Sequence, residues 1–242
     1  MKDLDISLQE KLKPWRRSAW VPQTEAAGAP PLGSKFAGLP FIPAGQEWPA
    51  CGHCALPLQL FAQINPAELP AAAAAPFGGR LLQVFFCTND ETMCEEEDNF
   101  SPFSSARCVR LLDPAGAVPR AYAVSPVADA YPERAITGWR EQDDYPNWEE
   151  LDLLGVELSD AESDQLADEA DTPLQGDKLG GWPAWVQGPN YPACPQCAAP
   201  MRPLLQIDSE DNLPYMFGDT GCAYITQCPA HPEVLALGWD CC

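Results

Sequence analysis

The chain has 242 residues, a formal net charge of −21, 46% hydrophobic residues, 27 prolines and 11 cysteines. That length fits one large domain or two small related halves, and so acidic a surface excludes nucleic acid and anionic membrane as direct partners. No run of about eighteen apolar residues occurs, and no signal-peptide pattern opens the chain, so a cytoplasmic protein without a membrane span is expected.

Residues 1–32 read as a leader. A short helix over Asp3–Lys13 is stopped by Pro14, which would remove a helical hydrogen bond, and a Pro/Gly/Ala linker follows. Strands are expected at Leu58–Ile64 and Arg80–Cys87, with a short helix over Pro66–Ala75 between them. Arg107–Leu112 and Arg120–Ser125 read as a further strand pair, joined by the turn Asp113-Pro114-Ala115-Gly116. Residues 140–172 then read as an acidic insert. Glu141–Asp171 holds thirteen acidic residues and no Lys or Arg, and Ser159-Asp160-Ala161-Glu162 is a capping box that starts a helix to about Ala170. Strands at Leu204–Asp208, Ala223–Gln227 and Leu235–Cys241 close the chain. So many prolines exclude long helices. The expected fold is α+β and sheet-dominated, with few short helices.

The chain also repeats itself. Lys35, Gly38, Pro40, Pro49-Ala50-Cys51, Cys54-Ala55, Pro57 and Gln63-Ile64 recur without a gap as Lys178, Gly181, Pro183, Pro192-Ala193-Cys194, Cys197-Ala198, Pro200 and Gln206-Ile207, each 143 positions later. Cys87 and Cys228 each end an apolar run, 141 apart. Two halves, 33–126 and 177–242, are therefore expected, related by a pseudo-two-fold axis.

Paired Cys-x-x-Cys motifs in a reducing compartment read first as zinc ligands. A structural zinc takes four thiolate or imidazole donors at tetrahedral corners, and a tight knuckle supplies two. In the first half Cys51 and Cys54 gain Cys87 and Cys94. In the second, Cys194 and Cys197 gain Cys228 and one of Cys241, His231, Cys222 or Cys242, with Cys241 preferred and His231 next. Cys108 and Cys222 suit buried apolar positions. Cys51-Gly52-His53-Cys54 also matches the active-site tetrapeptide of disulfide oxidoreductases, but Pro57 would break the helix that lowers the thiol pKa there. No catalytic set is assembled: both histidines, His53 and His231, lie beside cysteines assigned to metal. Glu95-Glu96-Glu97-Asp98 reads as a solvated loop.

Lys35-Phe36-Ala37-Gly38-Leu39-Pro40, Trp48-Pro49 and Leu60-Phe61-Ala62-Gln63-Ile64-Asn65 resemble the opening of the YwqG-like bacterial domain family. Lys178-Leu179-Gly180-Gly181-Trp182-Pro183, Leu204-Leu205-Gln206-Ile207-Asp208 and Met216-Phe217-Gly218-Asp219 resemble its second half. The cysteine segments are similar, locally, to those of the programmed cell death protein 2 family. The first resemblance implies a toxin-immunity protein, the second a chaperone of a basic ribosomal protein, and neither implies an enzyme.

Charge and resemblance together lead to the expectation of an intracellular immunity protein. It would occlude a basic toxin such as a nuclease, through Asp143, Asp144, Glu149, Glu150 and Asp152. A chaperone or carrier of a basic client is the alternative, and a zinc- or thiol-dependent enzyme a further one.

Overall fold

The computed structural model describes residues 4–89, 91, 94, 101–120, 122–168 and 172–242. Among them are ten strands and four short α-helices: α1 (Ile6–Leu12), β1 (Arg17–Glu25), β2 (Lys35–Phe36), β3 (Gln59–Ile64), α2 (Ala71–Ala74), β4 (Leu81–Phe86), β5 (Arg107–Leu112), β6 (Arg134–Asp144), α3 (Trp148–Leu153), α4 (Asp160–Asp168), β7 (Lys178–Gly180), β8 (Arg202–Asp208), β9 (Cys222–Gln227) and β10 (Leu235–Asp240). All strands join one antiparallel sheet in the order β10-β9-β8-β7-β1-β6-β2-β3-β4-β5. The sheet curls until its edges nearly meet. The Leu237 N–H donates to Pro102 O at 3.0 Å, and the Arg107 guanidinium donates to Leu237 O, so the approach to β5 is stitched to β10. None of the described helices is long and apolar enough to cross a membrane.

The core draws on both ends of the sheet. Phe61 of β3 and Phe86 of β4 stack at 5.2 Å, and Phe217, from the loop between β8 and β9, sits 5.9 Å from Phe61. Each of these rings is essentially buried. The five strands β3, β4, β5, β8 and β9 stand where composition placed them, to within two residues. β10 ends at Asp240, and the expected helix over 66–75 is broken into single turns around Ala71–Ala74.

Three expectations are corrected. The leader is not an appendage, because β1 lies at the centre of the sheet, between β6 and β7, and pairs with β6 from Arg17↔Asp144 to Glu25↔Ala135. The acidic segment begins as the last residues of β6, and its two helices then close onto α1. Leu4, Leu8 and Leu12 pack with Tyr145, Leu151 and Leu166 in a separate small core. Lys11 reaches Glu162 at 2.7 Å, while Ser159 N–H donates to the Glu162 carboxylate at 2.8 Å as a capping box requires. Residues 120–125 form no strand among those described; β5 is flanked by β4 alone in the sheet. The expected loop at Glu95–Asp98 lies outside the described residues.

The same local bonds recur 143 residues apart. Gln63 Oε1 accepts from Phe41 N and its Nε2 donates to Gly33 O; Gln206 Oε1 accepts from Ala184 N and its Nε2 donates to Gly176 O. Lys35 and Lys178 are both buried and meet carboxylates at opposite ends of β6, Glu133 at 3.1 Å and Asp144 at 2.9 Å. Gly38 and Gly181 adopt φ of 73° and 68°, and a Cβ on either would strike that carboxylate.

Candidate metal centres

Each Cys-x-x-Cys lies on a turn pinched at its base. The Cys51 N–H donates to Leu56 O at 2.8 Å and the Ala55 N–H to Cys51 O at 2.9 Å; Cys194 to Ala199 and Ala198 to Cys194 repeat these bonds at 2.9 and 2.8 Å. Ala55 and Ala198 take positive φ, 61° and 57°, which turns the chain sharply back. Bridges Ala50↔Pro57 and Ala193↔Pro200 close the two knuckles. No helix follows either turn; the chain runs on into β3 or β8, so the helix-terminus geometry of a redox Cys-x-x-Cys is missing from both.

The remaining donors come from strand ends. Cys87 directly follows β4, its N–H held by Ala106 O, and stands 3.7 Å from Cys54, sulfur to sulfur. With Cys51 and Cys94 it forms a cluster whose four sulfurs all lie within 4.8 Å of one another. Cys228 directly follows β9 and stands 3.7 Å from Cys197. The next turn, closed by Val234 N–H to His231 O, swings His231 Nδ1 to 3.6 Å from Cys228 Sγ and 3.8 Å from Cys194 Sγ. The second cluster is therefore Cys194, Cys197, Cys228 and His231.

That set corrects the preference for Cys241. Antiparallel pairing puts Leu235 opposite Gln227 and Asp240 opposite Cys222. Cys241 thus lies a whole strand, about 20 Å at ~3.3 Å per residue, from the end of β9 that carries Cys228. It packs beside Gly218 instead. Cys222 is buried and donates its thiol to Ile207 O, and Cys108 is half-buried in the sheet, both outside the clusters.

The separations have a direct meaning. A tetrahedral zinc with Zn–S of about 2.3 Å has S···S edges of about 3.8 Å, and an imidazole donor shortens the S···N edge to about 3.5 Å. The observed 3.6–3.8 Å contacts match those edges. All eleven cysteines are free thiols. Burial opposes ionisation of Cys54, yet the Leu56 N–H and the Asn89, Cys94 and Cys51 groups hold its pKa down at about 6. For Cys194 burial again opposes, and the Gln196 and Cys197 N–H groups lead the interactions that bring it to about 6. Burial pushes Cys87 up. Each cluster is thus able to hold a metal ion, with one thiol that ionises readily.

A family model described as "Domain of unknown function (DUF1963)" matches residues 34–228. The chain belongs to that family. The DUF1963 match begins just before β2 and ends on Cys228, so it takes in both knuckles and leaves α1, β1, β10 and His231 outside. The chain is also 28% identical over 162 residues to "Uncharacterized protein YpfL" of Salmonella typhimurium, an alignment covering 66% of this chain and 32% of that protein. The aligned part is thus about a third of that relative's length.

Within this DUF1963 chain the five carboxylates expected at a partner surface separate into two groups. Asp143, Glu149 and Asp152 reach the surface, Asp143 within 2.5 Å of Arg16. Asp144 and Glu150 do not, and their assignment to an interface is corrected. Asp144 is fully buried; it meets Lys178 and accepts from the N–H groups of Tyr145, Leu174 and Trp182. Glu150 is buried and accepts from Trp185 Nε1 at 2.6 Å and from the Tyr191 hydroxyl. A lone carboxylate and a solvated one look alike in sequence; what set these two apart is a partner lysine 34 positions away and an indole 35 away.

Proposed function

We propose that the protein is a zinc-stapled immunity protein of the reducing cytoplasm. It binds a basic toxin, such as a nuclease effector, and occludes it, and its two halves descend from one duplicated zinc-binding unit. The observation that carries this reading is where the charge resides. The two deeply buried lysines, Lys35 and Lys178, are each consumed by a carboxylate. Those pairs cancel, so the net −21 stays with the remaining, largely exposed ionisable groups. Such a field speeds encounter with a cationic surface and repels nucleic acid itself.

The α3–α4 ridge supplies a docking centre consistent with this. Leu153 is 65% exposed, and Trp148 and Leu154 are also open to solvent, beside exposed Asp152, Glu157 and Asp160. Exposed apolar side chains inside a charged rim are the usual anatomy of a protein interface. In each cluster four protein donors would complete zinc's coordination, the arrangement of a structural rather than a catalytic ion. Both ions would tie a strand end to a knuckle and hold the scaffold rigid.

The test is affinity capture of the tagged full chain from its native lysate at low and at moderate salt. One stoichiometric basic partner surviving moderate salt supports occlusion. A ribosomal protein that passes on to a larger assembly replaces immunity with chaperoning, and no retained partner at either salt overturns both.

A further inference from the structure

β4–β5 and β9–β10 occupy matching places at the two ends of the sheet order. Cys87 and Cys228 close β4 and β9, which aligns Gln83 with Tyr224. Across the ladders, Arg110 stands opposite Gln83 and Gly238 opposite Tyr224. In the first half the Arg110 guanidinium lies 5.5 Å over the Phe85 ring, and its Nε donates to Gln83 Oε1 at 2.9 Å. The second half has only a glycine at that position. A Cβ on Gly238 would meet no atom within 4 Å, and Gly238 borders a cavity of about 230 Å³.

The walls of this cavity are fixed and their chemistry is specific. Trp185 and Tyr224 line it, ring centroids 4.4 Å apart. Their polar ends are already committed: Trp185 Nε1 donates to Glu150, and the Tyr224 hydroxyl donates to Ala184 O and accepts from Val186 N. What they offer a ligand is ring surface. Thr226 also lines the cavity. It is 1% exposed, and its hydroxyl has no partner among the described residues. The side chain of Asp240, a residue 9% exposed, makes no hydrogen bond or ion pair among the described residues, and burial raises its pKa. A carboxylate buried without a cation is unfavourable, and aromatic faces beside a carboxylate are the recognition elements for an organic cation. Guanidinium suits them better than ammonium because its plane stacks on rings while its edge donates to oxygen.

We propose that this cavity is a guanidinium subsite, which takes an arginine side chain of the protein partner where the first half carries its own Arg110. The assignment to a partner rests on the occlusion reading; the guanidinium chemistry does not. Asp240 supplies the countercharge, Thr226 a hydrogen-bond acceptor, and the two rings the stacking surface. Pro192 of the second knuckle lines the same cavity, so the metal centre braces one side of it.

The test titrates the full metal-loaded chain with methylguanidinium, followed by calorimetry. Saturable binding is expected. Asp240→Asn should weaken it about tenfold or more, the scale of losing one member of a buried charged pair. Gly238→Arg should abolish it by supplying the cation from within, and the open space at that position lets the variant fold, as a thermal melt would verify. No saturable binding to the wild type, or equal binding by both folded variants, overturns the subsite. The probe needs no partner, so its failure is separable from failure of the occlusion reading. Loss of partner capture by Gly238→Arg assigns the arginine to the partner. Unchanged capture with blocked probe binding overturns that assignment and gives the site to a free guanidino compound.

Discussion

A thiolate cluster holds its ion only while every donor is deprotonated and in reach, so single donors are the sharpest probes of the two centres. His231→Ala should remove about one metal equivalent per chain and lower the melting temperature by several degrees. Cys241→Ser should change neither, because Cys241 lies at the far end of β10. Metal analysis and a thermal melt on the two variants separate the ligand sets directly. Spacing alone made the first centre legible. Its donors sit on one knuckle, at the end of the second strand after it and seven positions beyond that end. The second was legible up to its fourth donor, since sequence distance does not tell which end of a six-residue strand faces the knuckle.

Asp177 is a carboxyl whose protonation the fold controls. It is buried, accepts from Asp208 N and Asn212 Nδ2, and lies beside Asp211. Burial first, and the Asp211 charge second, raise its pKa from 3.8 to about 7. A carboxyl whose pKa is raised on folding stabilises the fold fully below its unfolded pKa, and that contribution is lost as pH rises through about 7. Denaturant unfolding should therefore show this share of stability draining away between about pH 4 and about pH 7, by an amount on the order of a few kcal/mol. Asp177→Asn should flatten that slope; an unchanged slope would assign it to other groups.

At the scale of elements, β1 is the piece most easily misjudged. Pro22 sits mid-strand, and β1 pairs mainly with β6, more than a hundred residues away, whose own run is interrupted by Gly138. Proline and glycine demote a strand in any local reading, and a distant partner leaves no trace in composition. The strands that were legible, such as β3, β4 and β9, are fully buried runs of mostly apolar residues, which declare themselves. The capping box at Ser159 was legible for the same reason of locality, whereas its docking on α1 was not. A chain begun at residue 33, close to the family boundary, should fail to fold. β6 and β7 would lose the strand between them, and Leu151 and Leu166 their cover from α1. Circular dichroism and proton NMR of that truncation would report it; a well-dispersed spectrum would show the leader to be dispensable.

At the scale of the molecule, the electrostatic reading makes a kinetic claim. Reversing Asp143, Asp152 and Asp160 to lysine together shifts the net charge by six and leaves the buried Asp144 and Glu150 untouched. Association with the captured partner should slow by roughly tenfold or more at low salt, and its salt dependence should flatten, with little change in melting temperature. Stopped-flow rates at several ionic strengths measure both. Unchanged rates would move the interface off the α3–α4 ridge. The sign of the whole surface was legible in the composition, but not which carboxylates are spent inside, since that depends on where buried partners such as Lys35, Lys178 and Trp185 point.

The central place of β1 also sets an order of assembly. It precedes both its partners in the chain, β6 and β7 being the sixth and seventh of the described strands. Until they are made its ladder groups have no mate, while β3, β4 and β5 pair through neighbouring connections and bring Cys51, Cys54 and Cys87 together early. Closing so long a loop is the slow, non-local step of such a topology. The four donors of the first cluster thus all precede β6 in the chain, and β6 supplies the link between β1 and β2 before the second knuckle is made.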